Sequence, residues 1–155
     1  GNMGDDTVSG GAGDDWVVGG KDQDLLFGQA GGDIVYGNLG NDTLDGGDGA
    51  DIVRGGQGED SVQGGAGDDW ISGDRGLDTL TGGAGADTFH IFAEAGWDRV
   101  TDFNAAEGDR VQLLPGATYT ASQMGNDVLV QVGEAQLLLV GVQLSSLPSG
   151  WIFGA

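Results

Sequence analysis

The chain has 155 residues, the length of one domain or of a rod with a small cap, and carries 25 acidic against 5 basic residues for a formal charge of −20. That charge excludes a nucleic-acid partner, because phosphate binding needs the opposite sign, and it opposes any compact state that lacks a neutralising cation. With no cysteine there is no disulfide framework and no thiolate metal site, and no run of about 18 apolar residues offers a transmembrane segment.

From Gly1 the chain divides into ten phrases of nine residues, among them GGAGDDWVV (10–18), GNLGNDTLD (37–45) and GGAGDDWIS (64–72). It opens mid-phrase and without a signal peptide, which is expected of the end of something longer. Position one is glycine in every phrase. Position six is aspartate in every phrase: Asp6, Asp15, Asp24, Asp33, Asp42, Asp51, Asp60, Asp69, Asp78 and Asp87. Position eight is always large and apolar: Val8, Val17, Leu26, Val35, Leu44, Val53, Val62, Ile71, Leu80 and Phe89. Position four is glycine in all but one phrase, where Asp22 stands, and Asn2, Gln29, Asn38 and Asp74 replace the glycine of position two.

Residue chemistry predicts loops over positions one to six, since glycine permits positive φ and close backbone approach. Positions six to nine alternate as a short strand with one buried side chain. One apolar residue per nine is too small a core to offset the ordering of ninety glycine-rich residues, at about 1–2 kcal/mol each for the backbone alone. Another stabilising agent is required.

The pattern G-G-x-G-x-D-x-U-x resembles the calcium-binding nonapeptide repeat of RTX proteins, a match over residues 1–90. The resemblance implies an all-β fold: a right-handed parallel β-roll of ten nonapeptides in about five turns, with a C-terminal β-rich cap over residues 91–155. In such a roll the sixth-position aspartates stack in columns about 4.8 Å apart. Carboxylates that close repel unless a cation separates them, and all-oxygen donors on a flexible backbone suit Ca²⁺. Interleaved pairs, from Asp6/Asp24 to Asp69/Asp87, allow up to eight ions. Backbone carbonyls of Gly11, Gly13, Gly47, Gly49, Gly56, Gly58, Gly65 and Gly67 are candidate further donors. Residues 1–90 hold a net charge of −15, which eight divalent ions would nearly neutralise.

Alternate repeats fall on opposite sheets, so their outward faces differ. The odd face shows mostly hydroxyls at position seven, whereas the even face shows Trp16, Ile34, Ile52 and Trp70, with Tyr36 at position nine. Either the C-terminal segment or another domain covers this apolar stripe, or it is a contact surface for self-association or for a polysaccharide.

Beyond His90 the period stops. GWDRVTDF (96–103) and EGDRVQLL (107–114) alternate as strands, and residues 126–132 and 135–142 predict a hairpin turning at Gly133-Glu134. The segment is placed to close the edge of a repeat stack. It also resembles the uncleaved C-terminal signal of proteins exported by type I secretion machinery. The alternative is a structural cap alone.

No enzyme is expected within these residues. The single histidine, His90, lies at an outward position with no nucleophile beside it in the pattern, and no lysine follows a glycine-rich loop as in a phosphate-binding loop. The reading is a calcium-binding RTX module, secreted or at the cell surface, that folds on calcium outside the cell and supports export of a larger protein. A calcium-dependent adhesive, self-assembling or polysaccharide-binding module is one alternative. An accessory module of an upstream secreted enzyme is the other.

Overall fold

A computed structural model describes residues 1–154 and shows two sheets wound from one coil. The repeats supply strands β1 (Thr7–Ala12), β2 (Trp16–Lys21), β3 (Leu25–Ala30), β4 (Ile34–Leu39) and β5 (Thr43–Asp48). They continue with β6 (Ile52–Gly58), β7 (Ser61–Ala66), β8 (Trp70–Gly76), β9 (Thr79–Ala84) and β10 (Thr88–Ile91). Odd strands pair in parallel in one sheet and even strands in the other, so that Thr7 faces Leu25 and Trp16 faces Ile34, two nonapeptides apart.

Each repeat strand starts at position seven, and most run through position three of the next phrase, with β6 and β8 one residue longer and β10 ending at Ile91. The expectation of six loop positions is therefore corrected. The turn is confined to positions four to six, or five and six after β6 and β8, and the glycines of positions one and two lie in the strand. The reason is steric, because glycine here makes room for a neighbouring turn. A Cβ on Gly47 (φ 110°) would press on the Gln29 carbonyl, and one on Gly49 (φ 135°) on the Gly31 carbonyl. At four of the five replaced glycines, Asp22, Gln29, Asn38 and Asp74 keep φ of 75°, 84°, 82° and 68°, the left-handed region that Asn and Asp tolerate better than most residues.

Position-eight side chains from Val17 to Phe89 are buried and form a ladder of single apolar residues between the sheets. The ladder runs on past residue 90. Strand β11 (Trp97–Val100) pairs in parallel with β9, placing Val100 opposite Leu80. Strand β12 (Arg110–Leu113) pairs with β10, placing Val111 opposite Phe89. Each sheet thus carries six strands of the coil, about six turns in all.

The far end is closed differently in the two sheets. In the odd sheet β15 (Ala135–Leu139) adds to β11 in parallel, followed by β14 (Asp127–Val132) and β13 (Thr120–Met124), both antiparallel. The β14–β15 hairpin turns at Gly133-Glu134, with Val132 paired to Ala135, as the sequence predicts. In the even sheet the short β16 (Ile152–Phe153) pairs with β12, after a 3-10 helix at Leu144–Ser146. Val128, Val130, Leu137 and Leu139 extend the core into this end, and Trp151 meets the Phe103 ring edge-on at 6.4 Å between centroids.

Candidate metal centre

The loops place every sixth-position aspartate at the same point of its turn, one above the next. From Asp24 to Asp87 each carboxylate is oriented by a hydrogen bond between turns, whereas Asp6 and Asp15, in the first turn, give only their N–H. The Asp33 N–H donates to Asp51 Oδ1 at 2.7 Å, Asp42 N–H to Asp60 Oδ1 at 2.8 Å, and the pattern repeats in both columns from Asp6 to Asp87. One oxygen of each of these eight carboxylates is therefore fixed by backbone.

The other oxygen is not. The Oδ2 atoms of Asp24, Asp33, Asp42, Asp51, Asp60, Asp69, Asp78 and Asp98 are buried and accept no hydrogen bond. Buried polar oxygens are nearly always paired, and a row of exceptions at one register requires a common cause. Within the repeats, from Asp24 to Asp78, each orphan oxygen lies against the position-one glycine of its own nonapeptide. A Cβ on Gly46 would lie 2.5 Å from both Asp51 Oδ2 and the Gly64 carbonyl oxygen. The strand register skips Gly10, the corresponding glycine of the second phrase. Carboxylate and position-one carbonyl thus share a cradle that only glycine leaves open.

Burial pushes the column's carboxyls upward, with neighbouring carboxylates adding to the effect and the N–H bonds between turns opposing it. Asp60 and Asp69 rise to about 7, Asp78 to about 8, Asp87 to about 6 and Asp98 to about 7. Asp42, Asp51 and Asp109 move in the same direction. Without a cation such groups hold protons well above the ordinary aspartate range. The donor set fits a hard divalent ion: oxygen only, closely stacked, half neutralised by backbone. Among the described residues no three acidic or histidine side chains converge on one point, so backbone carbonyls must complete any shell.

The structure thus brings the ten sixth-position aspartates into two columns as the sequence implies. The carbonyls of Gly13, Gly47, Gly49, Gly58, Gly65 and Gly67 face glycines of the next turn across the gap between turns. Gly11 and Gly56 hold the same register, opposite Gln29 and Asp74. The position-one carbonyls, which share the glycine cradles with the orphan oxygens, were not singled out from the sequence.

Two further sets escaped the sequence reading. Asp98 and Asp109 continue the columns, accepting the Asp78 and Asp87 N–H groups. At position five, Asp5, Asp14, Asn41 and Asp68 form a second ladder, each Oδ1 accepting the position-five N–H of the following turn at 2.9–3.1 Å. Aspartate or asparagine at that position is the signal that would have found it.

The even-face stripe is divided. Trp16 is 77% exposed and Ile52 40%, whereas Trp70 is half-buried, stacked on His90 at 5.1 Å and donating from Nε1 to Gln112 Oε1 at 2.7 Å. Ile34 is partly covered, and Tyr36 carries the Arg54 guanidinium 5.0 Å above its ring. Arg54 in turn pairs with the buried Asp74 at 2.7 Å. A second apolar groove, of about 340 Å³ and lined by Leu77, Trp97, Met124, Leu129 and Leu138, lies on the odd face.

A parallel β-solenoid whose turns close around stacked, half-satisfied carboxylates is a repeat scaffold built to hold cations. The chain belongs to the family of RTX calcium-binding nonapeptide repeats, which it matches over residues 1–35, 27–62 and 54–89. Among solved structures it is similar to the extracellular lipase LipA of Serratia marcescens, at 18% identity and a TM-score of 0.47, over 92% of this chain and 38% of the lipase. It is also similar to the AlgE6R3 and AlgE6R2 subunits of the Azotobacter vinelandii mannuronan C5-epimerase. The first shows 23% identity and a TM-score of 0.35, over 92% of this chain and 79% of the subunit. The second shows 22% and 0.43, over 88% and 91%. No curated protein sequence matches. Among the described residues no helix is long and apolar enough to cross a membrane.

Proposed function

We propose that this RTX module is the calcium-triggered folding unit of a larger exported protein. Residues 1–90 form the ion-binding roll, and residues 91–155 form its cap and carry the signal for type I secretion. The observation that supports this reading is the row of eight buried Oδ2 atoms without partners. Bound calcium supplies the positive charge that these carboxylates lack.

The chain's own residues do the rest. Backbone N–H groups fix each Oδ1 so that Oδ2 faces its glycine cradle, and the position-eight ladder packs once consecutive turns are in register. Without a cation, burying ionised carboxylates one above another is too costly, and the chain stays open. That state suits passage through an exporter. Outside the cell, millimolar calcium falls in the range of extracellular sites, and binding becomes folding free energy. The sites are the interleaved pairs from Asp6/Asp24 to Asp69/Asp87, up to eight ions. The parent's chemistry, if it has any, resides outside this module.

The test is a calcium titration of the metal-free chain followed by far-ultraviolet circular dichroism and tryptophan fluorescence, with magnesium as control. A cooperative coil-to-β transition with calcium alone supports the reading. A chain fully folded in chelator removes its central step.

The exposure of Trp16 and Ile52 favours a second reading, a contact surface at the N-terminal half of the even face for another copy or a polysaccharide. It predicts calcium-dependent oligomers or glycan retention that Trp16→Ser with Ile52→Ser abolishes. A parent that is monomeric and binds no glycan counts against it.

A further inference from the structure

We infer that an additional calcium site, outside the nonapeptide motif, lies between Asp78 and Asp98 and clamps the repeat stack to the C-terminal sheet. The inference rests on the calcium reading of the repeats and extends it to a strand that lacks the repeat.

Three aspartates after the last repeat touch the columns or their edges, and they differ in one respect. Asp102 is saturated by backbone: its two oxygens accept the Gly82 and Gly83 N–H groups, each at 2.9 Å. Asp109 is saturated as well, by the Asp87 N–H at 3.0 Å and the Asn104 N–H at 2.8 Å. Asp98 is not. Its Oδ1 accepts the Asp78 N–H at a long 3.4 Å, and its Oδ2 finds no donor, the Asp78 carboxyl being the only polar side chain against it among the described residues. The Oδ2 of Asp78 is equally without a partner, and the two residues are only 2% and 3% exposed. Neither takes part in a salt bridge among the described residues, where the two ion pairs are Arg54–Asp74 and Arg75–Glu94. Two buried carboxylates side by side, each with a free oxygen and no base, require a cation or a shared proton. The donors available are the two free carboxylate oxygens, and oxygen donors of this kind select a hard divalent ion, as in the columns.

The position gives the site its consequence. Strands β7 and β9 are paired through five residues, whereas β9 and β11 are paired through two, Thr79 with Arg99 and Val100 with Leu80. In the odd sheet the strands beyond are joined through β11, which carries β15 through four pairs. In the odd sheet an ion at Asp98 joins this thin seam from one end, and Asp102 joins it from the other. In the even sheet Asp109 does the same work with backbone hydrogen bonds and needs no ion. The two columns therefore end differently.

The test compares the parent with Asp98→Asn and Asp109→Asn by native mass spectrometry of the calcium-loaded chain. Asparagine keeps the Oδ1 acceptor and alters only the second oxygen. The expected result is one ion fewer in Asp98→Asn and an unchanged count in Asp109→Asn. Hydrogen exchange then shows faster exchange across residues 135–139 in Asp98→Asn, with β3 to β7 as protected as in the parent. An unchanged ion count in Asp98→Asn overturns the site, whereas a parent that binds no calcium overturns the reading beneath it. As a folding control, Asp98→Lys places an ammonium where the ion is inferred, and it folds in calcium with one ion fewer. If both variants at Asp98 stay unfolded and bind nothing, the residue belongs to global folding and the local site is refuted.

Discussion

Gly46 offers a sharp test of the cradle, because its backbone needs no positive φ and only space forbids a side chain. Alanine there would bring a methyl to 2.5 Å from Asp51 Oδ2 and from the Gly64 carbonyl oxygen, well inside contact distance. Both are held, the carboxylate by the Asp33 N–H and the carbonyl by its turn, so the turns must part. Overpacking of this kind costs about 1–3 kcal/mol. For a chain of this length that lowers the melting temperature in saturating calcium by about 2–4 °C per kcal/mol, or roughly 2–12 °C. The calcium midpoint is a blunter readout. If about eight ions bind cooperatively, a loss of 2 kcal/mol is shared among them and the midpoint rises only about 1.5-fold. Thermal melting by circular dichroism at fixed calcium is therefore the assay. Gly125→Ala is the control: it has nothing within 4 Å and a φ of 66°, so it loses only the conformational preference, about 1 kcal/mol. Gly46→Ala melting within a degree of the parent would refute the cradle.

Other consequences follow from the same geometry. With burial holding Asp60, Asp69, Asp78, Asp87 and Asp98 at about 6–8, the metal-free folded chain binds more protons than the unfolded chain above about pH 4. Its stability is thus present below that pH and lost as pH rises to about 8; circular dichroism of the metal-free chain should show more β-structure at pH 5 than at pH 8, and an equal signal contradicts this. Leu44→Ala removes a fully buried member of the position-eight ladder and should cost about 2–5 kcal/mol, read as an earlier melt in calcium. Asp74→Gly loses the Arg54 pair but relieves a φ of 68°, whereas Asp74→Ala loses the pair and keeps the strain. The alanine variant should therefore be the less stable by about 1 kcal/mol in denaturant melts, and the reverse order would show that the backbone at this position is unstrained.

Much of the roll was legible because one register carries all its physics. Asp at position six and an apolar residue at position eight recur every nine residues, and the structure stacks both as columns. The hairpin at Gly133-Glu134 was legible for the usual reason, two alternating runs around a short turn. The continuation through Asp98 and Asp109 was not, because insertions lengthen the spacing within a column from 18 residues to 20 in the odd one and 22 in the even one. The signal survives all the same: Asp98-Arg99-Val100 and Asp109-Arg110-Val111 repeat the D-x-U order of positions six to eight. Strand limits were misread because glycine was taken as loop material, whereas position-one glycine lies within the strand to admit a carboxylate oxygen. The partial cover of Trp70 was also hidden, since Gln112 lies 42 residues away in sequence.

The most direct measurement is an anomalous difference map from crystals of the calcium-loaded chain. Two columns of peaks are expected inside the stack, each within about 2.3–2.6 Å of successive sixth-position Oδ2 atoms, with one further peak at Asp98 and none at Asp109. Peaks confined to the exposed position-five carboxylates, or no peaks in a folded roll, would contradict it.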